Sequence, residues 1–420
     1  LGIALVIKYT PPELLAELKK SLPFRLTKSQ EQAIAEISAD LSKPHPMNRL
    51  LQGDVGSGKT IVALMAALPV LAAGHQVVIM VPTSVLAQQH YSVISKLLAD
   101  KYRVSLVTAS TIKEIKNTSK IDLIIATHSI LFHKEELIYN LGLLIIDEQH
   151  RFGVEQRREL VNLKYNNQVP HLLNLTATPI PRSVALTLFG EIDVSVIYKP
   201  EGRKENQTLM VPQNKRSASY AWLEKHLHSG GQIFWICPLI EAGENNAGLL
   251  DVENQYHIVQ GLFPAYKVAL LHGKVPSKTK DKVIRELQQH KLDILVSTTV
   301  IEVGIDIPGA NVIIIENAEK YGLAQLHQLR GRVGRSNQAS WCLLYTNLES
   351  NPRVMDRLSY FAKETNGIKI AEFDLSNRGP GEVYGTVQAG IPELKIANFG
   401  NSAFLGQIRE AAHYLLSLKQ

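Results

Sequence analysis

With 420 residues, 45% of them hydrophobic and 20% charged, the chain can build two or three domains with full-sized cores and has an ordinary globular balance. Its net charge of +6 is compatible with an acidic partner such as nucleic acid without demanding one. The two cysteines, Cys237 and Cys342, lie in apolar strand-like runs, which excludes a disulfide framework or thiolate cluster and reads as buried free thiols in a reducing compartment. The sequence has no run of about 18 apolar residues and no signal peptide, so it reads as soluble, intracellular and free of membrane. It starts at Leu1 rather than Met, which reads as a fragment or a processed form.

In chain order, residues 1–26 form a helical lead, with a helix from Pro11 to Ser21 ending in Leu22-Pro-Phe24. Thr27 is placed to cap a helix from about Ser29 to Leu41. Leu50 and Leu51 then read as the end of a buried strand, and Ile61 to Leu68 as the start of a helix, with Pro69 expected to kink or end it. Strands follow at 76–81, 103–107, 122–126, 141–146 and 171–175, with helices at 83–98 and about 155–163. Near-continuous apolar strands separated by helices indicate a parallel sheet covered on both faces, here within a domain spanning 27–198. The polar stretch Lys199-Pro-Glu-Gly-Arg-Lys204 reads as an interdomain linker, placed at 199–206. A second α/β domain spans 207–350, with strands at 232–237, 267–271, 293–297, 311–316 and 341–345 and a helix at 277–289. Residues 351–420 read as an appendage with a glycine-rich segment at 378–390 and a final helix at about 406–419.

The strongest chemical signal is Gly53-Asp-Val-Gly-Ser-Gly-Lys-Thr60, a G-x-x-x-x-G-K-[ST] loop between a strand and a helix. Gly53, Gly56 and Gly58, with Ser57, let backbone N–H groups turn inward around phosphate oxygens, and the helix N-terminus adds its positive dipole end. Lys59 is expected to reach the terminal phosphates and Thr60 to supply a hydroxyl ligand for Mg²⁺. In Leu143-Leu-Ile-Ile-Asp-Glu-Gln-His150 an apolar strand delivers Asp147 and Glu148 to its carboxyl end, where ligands of open α/β sheets bind. Asp147 is expected to hold Mg²⁺ and Glu148 to orient and deprotonate a water. His150 either caps the turn or couples it to a neighbour. Thr176 and Thr178, in Leu175-Thr-Ala-Thr-Pro-Ile-Pro-Arg182, either transmit the state of the γ-phosphate or end a strand in a proline turn. In the second domain, Gln325-Leu-His-Gln-Leu-Arg-Gly-Arg-Val-Gly-Arg335 holds three arginines. Chemistry alone allows these to stabilise transferred phosphate or to form a nucleic-acid backbone patch.

In order, these motifs resemble superfamily 2 helicases and translocases over almost the whole chain. Asp147-Glu-Gln-His-Arg-Phe-Gly-Val154, Thr178-Pro-Ile-Pro-Arg182 and Asp374-Leu-Ser-Asn-Arg-Gly-Pro-Gly-Glu-Val-Tyr-Gly-Thr-Val-Gln-Ala-Gly390 narrow the likeness to the RecG family of bacterial branched-DNA translocases. The resemblance implies an α/β fold of two RecA-like parallel-sheet domains in tandem, with a small C-terminal helical and loop translocation element. It implies ATP and Mg²⁺ as cofactors, and Arg332 and Arg335 as arginine fingers acting with Lys59 and Glu148. Gln30, in the segment opened by Phe24, resembles the adenine-reading glutamine, so both are expected at the nucleotide. Thr83, Thr108, Ser110, Thr127, His128 and Thr299 are expected at DNA. His150, Thr176, Thr178, Asp306, Gln328, Arg378 and Gln388 are expected to couple hydrolysis to movement.

The implied task is ATP-dependent remodelling of stalled forks and Holliday junctions by a monomer in the bacterial cytoplasm at the nucleoid, with single-stranded-DNA-binding protein as a further partner. Against the family, the sequence reads as lacking the wedge domain before Leu1, and it has Val387 where an arginine is usual, Thr108-Ala-Ser110 for Thr-Gly-Ser, and a shorter segment up to Ile121. Two other readings stay open. One is a transcription-repair coupling type of translocase, and the other a nucleotide-gated DNA clamp that hydrolyses slowly without moving.

Overall fold

The computed structural model describes residues 3–7, 12–98, 101–112, 121–148, 168–178, 192–200, 206–238, 247–299, 309–334 and 339–378, with positions 407 and 411. The helix expected at 155–163, most of the linker, the glycine-rich segment after Arg378 and nearly all of the final helix lie outside these residues. The described chain falls into two units, within 3–200 and within 206–378.

The first unit contains β1 (Ile3–Ala4), α1 (Pro12–Ser21), α2 (Lys28–Leu41), β2 (Asn48–Gly53), α3 (Lys59–Ala72), β3 (Gln76–Met80), α4 (Ser84–Leu98) and β4 (Val104–Val107). After these come β5 (Leu123–Ala126), α5 (Lys134–Leu137), β6 (Leu141–Asp147), β7 (Gln168–Val169), β8 (His171–Thr176) and β9 (Asp193–Ile197). Seven strands form one sheet in the order β4-β5-β3-β6-β8-β2-β9, and every pairing is parallel. Alternate side chains feed two cores. Val77, Ile79, Leu143 and Ile145 pack with α1 to α4, and Val78, Met80, Leu144 and Ile146 pack on the other face. Burial on both faces is why these strands read as continuous apolar runs rather than alternating ones. Fully burying each such side chain stabilises the unit by about 1.5–3 kcal/mol.

Pro69 neither ends α3 early nor stops its last turn, for the helix runs on to Ala72 and the Pro69 carbonyl accepts the Ala73 N–H at 3.1 Å. Every residue from Val62 to Leu71 is buried, and that packing holds the turn against the missing proline donor. Strand β9, to which the sequence reading assigns no element, adds an edge to the sheet beside β2.

Helix α2 is fixed from two sides. A capping box closes its start: Thr27 Oγ1 accepts the Gln30 N–H at 3.2 Å, and Gln30 Oε1 accepts the Thr27 N–H at 2.8 Å. Near its end, buried Arg49 of β2 donates to Asp40 at 2.7 Å, to Glu36 at 3.3 Å and to Ser195 of β9 at 2.8 Å. Burial alone would push the Asp40 carboxyl up, but the hydrogen bonds from Arg49 and Lys43 hold it below the usual carboxylate range.

The second unit contains β10 (Gln207–Val211), α6 (Arg216–His228), β11 (Gln232–Ile236), α7 (Ala247–Leu262), β12 (Val268–Leu271), α8 (Ser277–Gln288) and β13 (Ile294–Ser297). It continues through β14 (Ala310–Ile315), α9 (Leu323–Arg330), β15 (Trp341–Tyr345), α10 (Pro352–Lys363) and α11 (Gly367–Arg378). Its six strands run parallel in the order β10-β15-β14-β11-β13-β12. Cys237 and Cys342 are buried and free, and burial pushes the Cys342 thiol up to about 12. Among the described residues no helix is long and apolar enough to cross a membrane.

His171, fully buried at the start of β8, accepts the Met47 N–H at Nδ1 and donates from Nε2 to the Leu5 carbonyl, which fixes a neutral ring. Burial pushes its pKa below the ordinary imidazole value, and the Leu5 bond and the Asp40 charge only partly oppose that shift. The unfolded chain therefore binds this proton more readily, so the stability His171 contributes is present above about pH 6.5 and falls as pH is lowered through and below that value. Urea unfolding from pH 7.5 to 5.5 should show the wild-type midpoint dropping relative to His171→Gln; parallel curves would contradict this.

Candidate functional site

The phosphate loop leaves β2 at Gly53 and enters α3 at Lys59. Gly56 and Gly58 adopt left-handed φ of 81° and 88°, a region that side chains rarely enter. The loop is held from behind, because Gln30 Nε2 donates to the Ser57 carbonyl at 2.7 Å. A Cβ on Gly58 would lie 2.3 Å from that same nitrogen, and one on Gly53 would meet Ile197 of β9 at 2.6 Å. The Lys59 ammonium reaches back to the Gly53 and Asp54 carbonyls at 2.6 and 3.1 Å. The Ser57 hydroxyl is fully buried with no hydrogen-bond partner among the described residues. Left-handed glycines, a helix N-terminus, the Lys59 ammonium and a buried unsatisfied hydroxyl make a cradle suited to a polyphosphate.

Strand register brings the remaining parts to the same edge. Asp147 of β6 aligns with Leu175 of β8, and Thr176 of β8 aligns with Gln52 of β2. Asp147, Thr176 and the loop therefore emerge together at the carboxyl ends of three neighbouring strands, where open α/β sheets bind ligands. Glu148 follows in a left-handed conformation, with φ of 51° and its N–H on the Leu175 carbonyl at 3.0 Å, and is buried. Burial pushes the Asp147 carboxyl up, but the hydrogen bond and charge of His90, 3.4 Å away, and the charge of Lys59 outweigh it and keep the group anionic. Among the described residues no three His, Cys, Asp or Glu side chains gather to hold a metal by themselves. One carboxylate with the Thr60 hydroxyl fits a hard cation such as Mg²⁺ that keeps waters and phosphate oxygens as its other ligands.

The residues expected at DNA in the first unit follow β3, β4 and β5, on the other half of the same edge. Thr83 Oγ1 accepts the Leu86 N–H at 3.3 Å and so caps α4. Thr108 and Thr127 are buried, with hydroxyls 3.0 Å from Ser110 and 3.1 Å from Ser129, whereas Ser110 and His128 are exposed. Thr176 Oγ1 accepts the Thr178 N–H at 3.0 Å, tying the two expected coupling hydroxyls into one turn. Phe24 is exposed ahead of α2. In the second unit Gln328 and Arg332 are buried, and Thr299 follows β13. His150, Asp306, Arg335, Gln388 and the side chain of Arg378 lie outside the described residues.

Two residues have roles that the sequence reading missed. Arg330, buried, donates to the Phe361 and Glu364 carbonyls at 2.9 Å each and lies 4.2 Å over the Phe361 ring, which ties α9 to α10. The first of the three arginines is thus structural. His90 is the other, a lone histidine on an apolar helix face; its place seven residues after Thr83 is a signal too weak to name a partner.

Because the Gly58 conformation and the Gln30 contact both exclude a side chain, Gly58→Ala should cost at least about 1 kcal/mol in strain at this position. Fluorescent-nucleotide titration should show affinity reduced more than about fivefold with circular dichroism unchanged. Wild-type affinity would refute the cradle described here.

Residues 27–187 match the DEAD/DEAH box helicase family, and residues 215–337 match the helicase conserved C-terminal domain. The chain is 46% identical over 395 residues to the ATP-dependent DNA helicase RecG of Thermotoga maritima, covering 92% of this chain and 50% of that protein. It is 47% identical over 412 residues to RecG of Aquifex aeolicus, covering 94% of this chain and 52% of that protein. Among solved structures, RecG bound to a three-way DNA junction superimposes with a TM-score of 0.79 at 40% identity, over 97% of this chain and 53% of that one. The chain spans about half the length of these curated relatives. Its two parallel-sheet units have the fold of the tandem RecA-like domains of such helicases, and over most of its length the chain is similar to about half the length of the RecG helicases.

Proposed function

We propose that the chain is the ATP-hydrolysing motor of a translocase that moves on double-stranded DNA and remodels branched DNA such as stalled forks and Holliday junctions. The observation that carries this is the convergence of the Gly53–Thr60 loop, Asp147 and Glu148 at one sheet edge. The relative solved on a three-way junction supports the branched-DNA substrate.

In this reading Lys59 exchanges the Gly53 and Asp54 carbonyls for the terminal phosphate oxygens, while the loop N–H groups and the helix dipole hold the remaining charge. Thr60 and Asp147 would hold Mg²⁺, which would supply positive charge beside the phosphates. Glu148 orients the attacking water and accepts its proton. Arg332 and Arg335 bring guanidinium charge to the transferred phosphoryl group. Gln30 meets the adenine beside Phe24 while it braces the loop. His150, Thr176, Thr178, Asp306, Gln328, Arg378 and Gln388 pass the hydrolysis state to the DNA contacts, which Thr83, Thr108, Ser110, Thr127, His128 and Thr299 make mostly to phosphates. The chain acts as a monomer at the bacterial nucleoid, with single-stranded-DNA-binding protein as a further partner.

Glu148→Gln should bind ATP with near wild-type affinity, hydrolyse it about 10²–10⁴-fold more slowly, and displace no third strand from a DNA triplex that the wild type clears. Wild-type hydrolysis without triplex displacement would make the chain a nucleotide-gated clamp instead.

A further inference from the structure

We propose that His90 is a positioning residue that ties the turn at Thr83 to the Asp147 carboxylate, so that duplex DNA engaged at that turn changes how firmly Asp147 holds Mg²⁺. This rests on the reading of Asp147 as the magnesium-holding carboxylate.

The connection is a closed mechanical loop. β3 and β6 are hydrogen-bonded neighbours, with Met80 aligned to Ile146, one residue before Asp147. From the end of β3 the chain passes through Val81, Pro82 and Thr83 into α4. Thr83 anchors that helix twice, accepting the Leu86 N–H at its hydroxyl (3.3 Å) and the Ala87 N–H at its carbonyl (3.0 Å). Thr83, Ala87 and His90 stand at i, i+4 and i+7, one stripe of a helix, about 10 Å from end to end. Leu86, Ala87, Ile94 and Leu98 bury the helix against the core, so its first turns move as a body. At the inner end His90 is 9% exposed, and its Nε2 faces Asp147 Oδ2 at 3.4 Å.

That separation lies at the long limit for a hydrogen bond, where a shift of a few tenths of an ångström decides whether the bond exists. A displacement of the Thr83 turn must therefore tighten the ring onto the carboxylate, release it, or carry the carboxylate along. Each outcome would change the orientation of the carboxylate oxygen that would hold Mg²⁺. A histidine that only filled core volume would stabilise α4 without any of these consequences.

The test uses the whole chain with His90→Ala and His90→Gln, the amide nitrogen of glutamine being able to stand where Nε2 does. Fluorescent ADP is titrated in EDTA and in Mg²⁺, and hydrolysis is followed against Mg²⁺ concentration with and without a linear duplex. For His90→Ala we expect affinity in EDTA within about twofold of wild type and a Mg²⁺ enhancement of binding that is lost. The Mg²⁺ half-saturation of hydrolysis should rise about tenfold, and the stimulation by duplex should collapse toward one. Glutamine should restore most of both; His90→Leu replaces the alanine variant should that one not fold. Wild-type Mg²⁺ half-saturation and duplex stimulation in a folded variant, even with a lowered unfolding midpoint, would overturn the proposal. A wild-type chain whose nucleotide affinity ignored Mg²⁺ would sink the underlying reading and this proposal with it, and shows itself before any variant is made.

Discussion

The hydrogen bond from Gln30 Nε2 to the Ser57 carbonyl is the interaction on which the site depends. A loop that binds phosphate through its backbone needs its N–H groups aimed before the ligand arrives, and glycines at 56 and 58 are too permissive to hold that aim themselves. The shape is imposed from outside. α2 presses Gln30 against Gly58, β9 presses Ile197 against Gly53, and Arg49 bolts both elements to the strand that ends in the loop. Lys59 rests on the Gly53 and Asp54 carbonyls, contacts that phosphate oxygens could replace.

The sheet order then divides the labour. Around β6, β8 and β2 the carboxyl edge carries the phosphate loop, Asp147, Glu148 and Thr176; around β4, β5 and β3 it carries Ser110, His128 and Thr83. The boundary runs between β3 and β6, which are directly paired, and α4 crosses it with Thr83 at one end and His90 at the other. The residues expected at the nucleotide and those expected at DNA thus occupy two halves of one sheet edge. The second unit repeats the parallel sheet without a phosphate loop of its own; Arg330 there fastens α9 to α10 through two backbone carbonyls.

Much of this was legible in the sequence. The phosphate loop and the Asp147-Glu148 pair have spacings that ordinary turns rarely match, and strands buried on both faces show themselves as Val77–Met80 or Leu143–Ile146 do. Thr27 was legible as a helix cap because the capping box is local; the second partner of Gln30 was not, because Ser57 is distant in sequence. β9 and β10 escaped because edge strands such as Asp193–Ile197 and Gln207–Val211 carry polar residues and lack the apolar run. Pro69 misled because propensity says it breaks helices, whereas packing around Val62–Leu71 overrides it. Arg330 and His90 take their meaning from a carbonyl on one helix and a carboxylate on one strand, and no pattern along the chain announces either.

The central claim is that an intact hydrolytic edge is coupled to DNA. Steady-state ATP hydrolysis measured without DNA, with linear duplex and with a synthetic fork tests it most directly. Hydrolysis stimulated by duplex, and further by the fork, is the result this account predicts. A rate that is the same in all three conditions would mean that this chain hydrolyses ATP without coupling it to DNA, and would contradict the account.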